Sequence, residues 1–309
     1  MAYITGTCTG HLALLAALQT FLESVGWTTK RSTTGSEYEY IAMGPGISGA
    51  DAIYIGIKSY TDAANQYYNW RLRGYTGYSS GLSFDSQPGS ISHTAPSMPS
   101  LLLTNGTIQY WFIADTRRVI IVAKCGTSYE CAYLGLILPY APTSQLPYPL
   151  CIGGSHIAYT IAYTDQSYNH FAFWNPQSNV GGTCPAWMLC GASWVGILNR
   201  YSNNVCMDRL NIWPYSGYPA SEESPSTGSL EFWQVRENID GSYPLLPLII
   251  HSGSSLTTKA LYGELSGIYA IPKWEELAED TLTIGSDTYL VVQSAFRTTN
   301  RAYAAIKLA

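Results

Sequence analysis

The chain has 309 residues, 46% hydrophobic and only 12% charged, with a formal net charge of −5. A charged fraction about half that of an ordinary globular domain suits a protein whose exterior is largely covered by partners. The acidic balance and the lack of any basic block argue against wrapping nucleic acid. No apolar run approaches the roughly 20 residues of a bilayer-spanning helix.

The opening residues, Met1 to Thr7, carry no Lys or Arg ahead of the apolar stretch, so they are not expected to form a secretion signal. A soluble protein made in the cytoplasm is expected. The first clear element is a helix over His11–Val25, where Leu14, Leu18, Phe21, Leu22 and Val25 make one stripe at three- and four-residue spacing. Thr9 is its candidate N-cap and Gly26 its stop. Trp27 begins a strand-like stretch, and strands are expected over Tyr38–Met43, Asp51–Tyr60 and Tyr67–Tyr75. Residues 77–100 then lose all periodicity in favour of Gly, Ser and Pro. Such a long stretch reads as an exposed arm or a ligand-facing loop, with a simple flexible loop as the alternative.

The strongest β signal follows. Ile108–Ala114 is a strand, Asp115–Arg118 a turn, Val119–Lys124 a near-continuous apolar strand and Cys131–Leu138 another. Apolar runs of this kind mean burial on both faces, which makes this block the expected centre of the core. Pro139–Pro149 leads the chain away. Short strands and large loops are expected over 155–215, and a second polar loop over Ser216–Gly228. Strands return at Leu230–Arg236, Leu245–His251, Gly267–Ile271, Thr281–Ile284, Thr288–Phe296 and Ala302–Leu308, with a short helical turn at Pro272–Glu279. The expected fold is mainly β (α+β) with one N-terminal helix, built on an antiparallel β-sandwich or barrel-like core with long loops. Residues 1–150 form the helix and core; residues 151–309 complete that core or form a second β domain.

Catalytic templates find little to hold. The five histidines are scattered, and only His156 and His170, with Cys184 or Cys190, suggest a metal site; satisfied or surface histidines are the better reading. No phosphate-binding loop, nucleophile elbow or other cofactor motif occurs. The acidic pairs Glu222-Glu223, Glu275-Glu276 and Glu279-Asp280 lie in polar, exposed segments, where neither acid would gain the raised pKa of a general acid. The seven cysteines include no Cys-x-x-Cys pair. Buried thiols are the first reading. Cys125 and Cys131, flanking a turn expected at Thr127–Glu130, are candidates for a disulfide once the chain leaves the cell.

What the chain has in quantity is aromatic surface, with 25 Tyr and 9 Trp. Tyr and Trp give large contact area at low rotamer cost. The candidate interface or ligand residues are Tyr67, Tyr68, Trp70, Tyr75, Tyr78, Trp213, Tyr215 and Tyr218. Protein contact is the favoured role and sugar stacking the second, while core packing must account for at least half of the rings.

The segment Asn105–Lys124, with its Tyr110-Trp111-Phe112 strand turning through Arg117-Arg118 into an apolar strand, resembles a block in virion structural proteins of tailed bacteriophages. Ala132–Ala141, Pro147–Leu150 and Asp287–Thr298 resemble the same family, and the opening helix followed by Gly26-Trp27-Thr28 is common in phage tail proteins. The resemblance covers about two-thirds of the chain in separated blocks. It implies a tail or baseplate component of the virion, assembled in the host cytoplasm and bound to other virion proteins as a homo-oligomer. It carries over no catalytic residue; no cofactor, direct nucleic-acid contact or membrane insertion is expected of the chain. Cys125, Cys131 and Cys151, each adjoining one of those blocks, depart from the small or apolar residues expected there. Receptor or host-surface glycan binding is the alternative function, and a particle-associated hydrolase the third.

Overall fold

Strand-period burial organises most of the chain. The computed structural model describes residues 1–35, 37–49, 51–91, 97–164, 185–197, 210–213, 235, 237–252, 260–272, 277–293 and 303–308. The N-terminal part runs β1 (Ala2–Thr9), α1 (His11–Ser24), β2 (Thr28–Thr33), β3 (Glu39–Gly44), β4 (Ile53–Asp62), β5 (Tyr67–Tyr75) and β6 (Ser97–Leu101). The central strands are β7 (Thr107–Ala114), β8 (Arg118–Cys125), β9 (Ser128–Leu136), β10 (Leu138–Pro139), β11 (Leu150–Gly153) and β12 (His156–Ala158). Then come β13 (Ala186–Cys190), β14 (Ser193–Ile197), β15 (Leu210–Trp213), β16 (Leu246–Ser252), β17 (Leu261–Ile271), β18 (Thr281–Ile284), β19 (Asp287–Gln293) and β20 (Tyr303–Lys307).

The protein is mainly β with one helix, as its patterning implies. Among the described residues the strands form a fourteen-stranded sheet, ordered β1-β7-β8-β9-β11-β13-β14-β15-β16-β17-β20-β19-β18 with β10 off this path, and a six-stranded sheet, ordered β12-β6-β5-β4-β3-β2. Pairing is antiparallel except where β14 meets β15 at Ile197 and Leu210. β10 prolongs β9 and pairs with β17 through Leu138–Glu264 and Pro139–Gly263, so the large sheet curls until it meets itself. Strands from both sides of residue 150 share both sheets.

Period-two alternation in β7 explains the layering. Ile108, Tyr110, Phe112 and Ala114 enter a core shared with α1 and the six-stranded sheet. Trp111 and Ile113 enter a second core, with Leu290 and Val292 of β19 and Ala304 and Ile306 of β20. Strands β7 to β9 are thus buried on both faces, which is why their sequences read as nearly continuous apolar runs.

The helix starts one residue later than Thr9 suggests: Gly10, at φ 83°, is the N-cap and no side chain caps it. Its end is a Schellman turn, in which Gly26 N–H donates to Glu23 O and Trp27 N–H to Leu22 O, with Gly26 at φ 92°. Strand β1 precedes the helix where no strand was expected.

The reading of 77–100 as an exposed arm is overturned for its described part. Phe84 and Ile91 are buried. The Tyr75 hydroxyl donates to Phe84 O at 2.9 Å, and Arg73 donates to Ile91 O at 2.6 Å and to Asp85 at 3.0 Å. Gln87 is a hub: its amide nitrogen donates to the carbonyls of Ser79, Leu82 and Ser83 while its oxygen accepts from Ser79 N–H. Residues 97–101 are β6, between β5 and β12. This stretch is ordered by polar contacts to distant side chains, which leave no periodic trace in sequence.

Candidate interaction surface

The sequence-derived candidates do not gather into one patch. Tyr67 is half-buried on the outer face of the six-stranded sheet, whereas Tyr68 points inward against the His11 ring at 5.5 Å. Trp70 is fully buried and donates from Nε1 to His11 O at 3.2 Å. Tyr75 is fully buried under Phe84. These findings correct the surface role expected of Trp70 and Tyr75: β5 is covered by the helix on one face and by residues 77–91 on the other, so neither ring can meet a partner or a sugar. Tyr78 is half-buried, with the Arg31 guanidinium 5.9 Å from its ring centre. Trp213 lies in β15, while its side chain, Tyr215 and Tyr218 lie outside the described residues.

The candidate disulfide is also overturned. The β8–β9 turn is Gly126-Thr127 alone, with Gly126 at φ 61°, as a tight two-residue hairpin demands. That turn pairs Cys125 with Ser128 and Val122 with Cys131. Cys125 therefore faces the core shared with α1, and Cys131 faces the opposite core. Both are free thiols, pushed well above the usual range by burial. Among the described cysteines, a thiol reagent on the native protein is expected to reach Cys8 and Cys190 first. Cys125, Cys131 and Cys151 should react only after denaturation. Peptide mapping under non-reducing conditions checks this, and a Cys125–Cys131 linked peptide from native protein would refute it. His170, Cys184 and Cys206 lie outside the described residues, within which no group of three or more His, Cys, Asp or Glu side chains could hold a metal.

Two carboxylates in the fold have unusual settings. Glu279 sits at φ 81°, strained for a non-glycine residue. Its carboxylate accepts from Lys124, from the Tyr129 hydroxyl at 2.5 Å and from Gln109 at 3.3 Å. Burial tends to raise its pKa, but Lys124 and Tyr129 more than offset that and hold it below the usual range. Glu279 therefore fastens the β18–β19 hairpin onto β7–β9, where an exposed acid was expected. Glu130 is fully buried in β9, in the same phase as Ala132 and Leu134, and among the described residues no close hydrogen-bond partner reaches its oxygens. Burial pushes its pKa up to about 8, with the nearby Ser155 hydroxyl acting the other way. Sequence reasoning placed Glu130 in a turn and missed it. The signal was the tight Gly126-Thr127 turn, which puts Glu130 on the inward face.

The feature best suited to meeting another molecule is β1. It pairs with β7 in unbroken register from Ala2–Ala114 to Thr9–Thr107 and, among the described strands, with nothing on its other side. None of its eight residues is charged. Tyr3 is 49% exposed and Ile4 42%. A second apolar spot, Leu138 and Tyr140, lies exposed at the seam where β10 meets β17, with the Tyr140 hydroxyl 3.1 Å from Glu264.

The geometry defines a mainly β, sandwich-like protein with one sheet edge, β1, that no other described strand covers. No protein-family model and no curated protein matches the chain. Among the described residues no helix is long and apolar enough to cross a membrane.

Proposed function

We propose that this chain is a structural subunit of a tailed-phage virion, at the tail or baseplate, working through protein–protein contacts in a symmetric assembly rather than by catalysis. The observation that carries the assembly reading is the open β1 edge. An eight-residue uncharged strand with exposed Tyr3 and Ile4 is the kind of edge that natural monomers protect. The low charged fraction of the chain points the same way. The phage assignment rests on the resembling sequence blocks, which cover β7, nearly all of β8, the second half of β9 and all of β19. They therefore carry the strands that build the double-faced core, where a family likeness is expected to be strongest.

The test is co-purification. Particles banded on a density gradient, from cells that express the chain during phage production, should contain it in multiple copies per particle by quantitative mass spectrometry. Its confinement to the soluble fraction, with none in the particle band, would overturn the reading.

A further inference from the structure

We propose that two copies of this chain join β1 to β1 in antiparallel order about a twofold axis at Thr5, continuing the large sheet from one copy into the other. The inference rests on the assembly reading above and names the partner for the open edge.

Among the described strands, β1 bonds to β7 alone, on one side. In an antiparallel ladder, alternate residues turn their N–H and C=O groups away from the paired neighbour, so those of β1 face outward in a row. The ligand that satisfies such a row is another extended backbone.

The other terminal strands of the two sheets are guarded. β2 carries Lys30 and Arg31 and a register break between Thr29 and Arg31. β12 has three residues and β18 only four. Charge, bulges and shortness are the usual protections of an edge, and β1 has none of them. A four-residue strand could satisfy only half of the β1 edge. Among the described edges, the one that matches β1 in length and lack of charge is β1 itself, and a surface that matches itself gives a closed twofold pair.

The side chains select the centre. A twofold axis perpendicular to the sheet preserves its faces, so paired residue numbers must sum to an even value. With the axis at Thr5, Tyr3 meets Thr7 of the second copy and Ile4 meets its Gly6. Each exposed large side chain then stands opposite a small one. Gly6 is also covered by its own Tyr110 ring: a Cβ there would lie 2.6 Å from the Tyr110 hydroxyl oxygen. Ile4 would thus pack beside an aromatic ring lying across the glycine, and such cross-strand pairs stabilise sheets. A seam of one strand pair is small, so the dimer is expected to dissociate on dilution.

Sedimentation velocity of the full chain over a concentration series tests the seam. Wild-type protein should approach the dimer mass as concentration rises. Tyr3→Lys/Thr7→Lys sets like charges opposite each other twice across the axis and should weaken dimerisation by at least about tenfold. Tyr3→Lys/Thr7→Glu sets opposite charges there and should restore it. Hydrogen exchange on the wild type supplies a readout that needs no variant: β1 amides should gain protection between dilute and concentrated samples. A wild-type dimer that the Lys/Lys variant leaves unchanged, or β1 amides that stay unprotected in it, overturns the seam and leaves assembly through another surface standing. A chain that stays monomeric yet bands with particles also overturns the seam alone. A monomer absent from particles overturns both readings.

Discussion

Glu130→Gln is expected to stabilise the protein above neutral pH and to remove the fall in stability that Glu130 imposes between about pH 4.5 and 8. The carboxyl ionises near its model value of 4.5 when unfolded, but burial raises it to about 8 in the fold. Between those values the folded protein holds a proton that the unfolded chain has released. At this group the native state binds more protons there, so its contribution to stability falls as pH rises through the window and levels off above it. A shift of this size corresponds to a loss of up to roughly 5 kcal/mol, at about 1.4 kcal/mol per pH unit. Glutamine keeps the shape of the protonated acid and cannot ionise, so it removes this contribution, while buried His11, lowered to about 4, leaves a rise in stability up to about pH 6.5 in both proteins.

The window separates this effect from the other carboxylates. Asp51, Asp287 and Glu279 are held below their ordinary values: by the Ser48 backbone in the first case, by Lys307 in the second, and in the third by Lys124 and Tyr129 against the effect of burial. Groups with lowered pKa values contribute stability above the unfolded pKa and lose it as pH falls, so they act on the acid side. Urea denaturation of wild type and Glu130→Gln from pH 5 to 9 should give curves that converge at low pH and separate toward pH 9. Parallel curves would mean that Glu130 is solvated or paired and that the burial argument fails.

Glu130 also shows where the sequence was legible and where it was not. Continuous apolar runs marked β7, β8 and the later part of β9 because those strands are covered on both faces, and the helical stripe of α1 was equally plain. Tyr129 and Glu130 lay just before the apolar run of β9 and were read as turn, although Gly126-Thr127 alone closes the hairpin. Strand β1 escaped notice because an edge strand with mostly exposed side chains needs no apolar alternation. The aromatics misled in the other direction. Tyr67 to Tyr75 were read as contact aromatics from residue type alone, yet Trp70 and Tyr75 are buried, and so are Asn69 and Arg73 between them, which bond to backbone carbonyls. The open edge became visible only once strand order was known, since pairing partners are not written into the strand that lacks one.

Deleting residues 79–99 is expected to prevent folding rather than to trim an appendage. The cut removes Phe84, Ile91 and Met98, each at most 2% exposed. Burial of such side chains is worth about 1.5–3 kcal/mol apiece. It also strips partners from the Tyr75 hydroxyl and the Arg73 guanidinium, both buried, and each orphaned group costs about 1–3 kcal/mol. Most of β6 goes as well, and with it the pairing of Ser97 with Ala158 that holds β12 to the sheet. Together these losses match or exceed the roughly 5–15 kcal/mol by which a domain is stable. The deleted chain should be recovered insoluble or without a cooperative melt by circular dichroism. Gln87→Ala isolates the polar part of the same clamp: it leaves the Ser79 amide and the carbonyls of Ser79, Leu82 and Ser83 without the hub, and should cost about 2–3 kcal/mol in urea denaturation. A deletion variant that melts within a few degrees of wild type would mean that residues 77–91 rest on the sheet without holding it. In that event β5 would tolerate an uncovered outer face, and Tyr75 would return as a surface aromatic open to a partner.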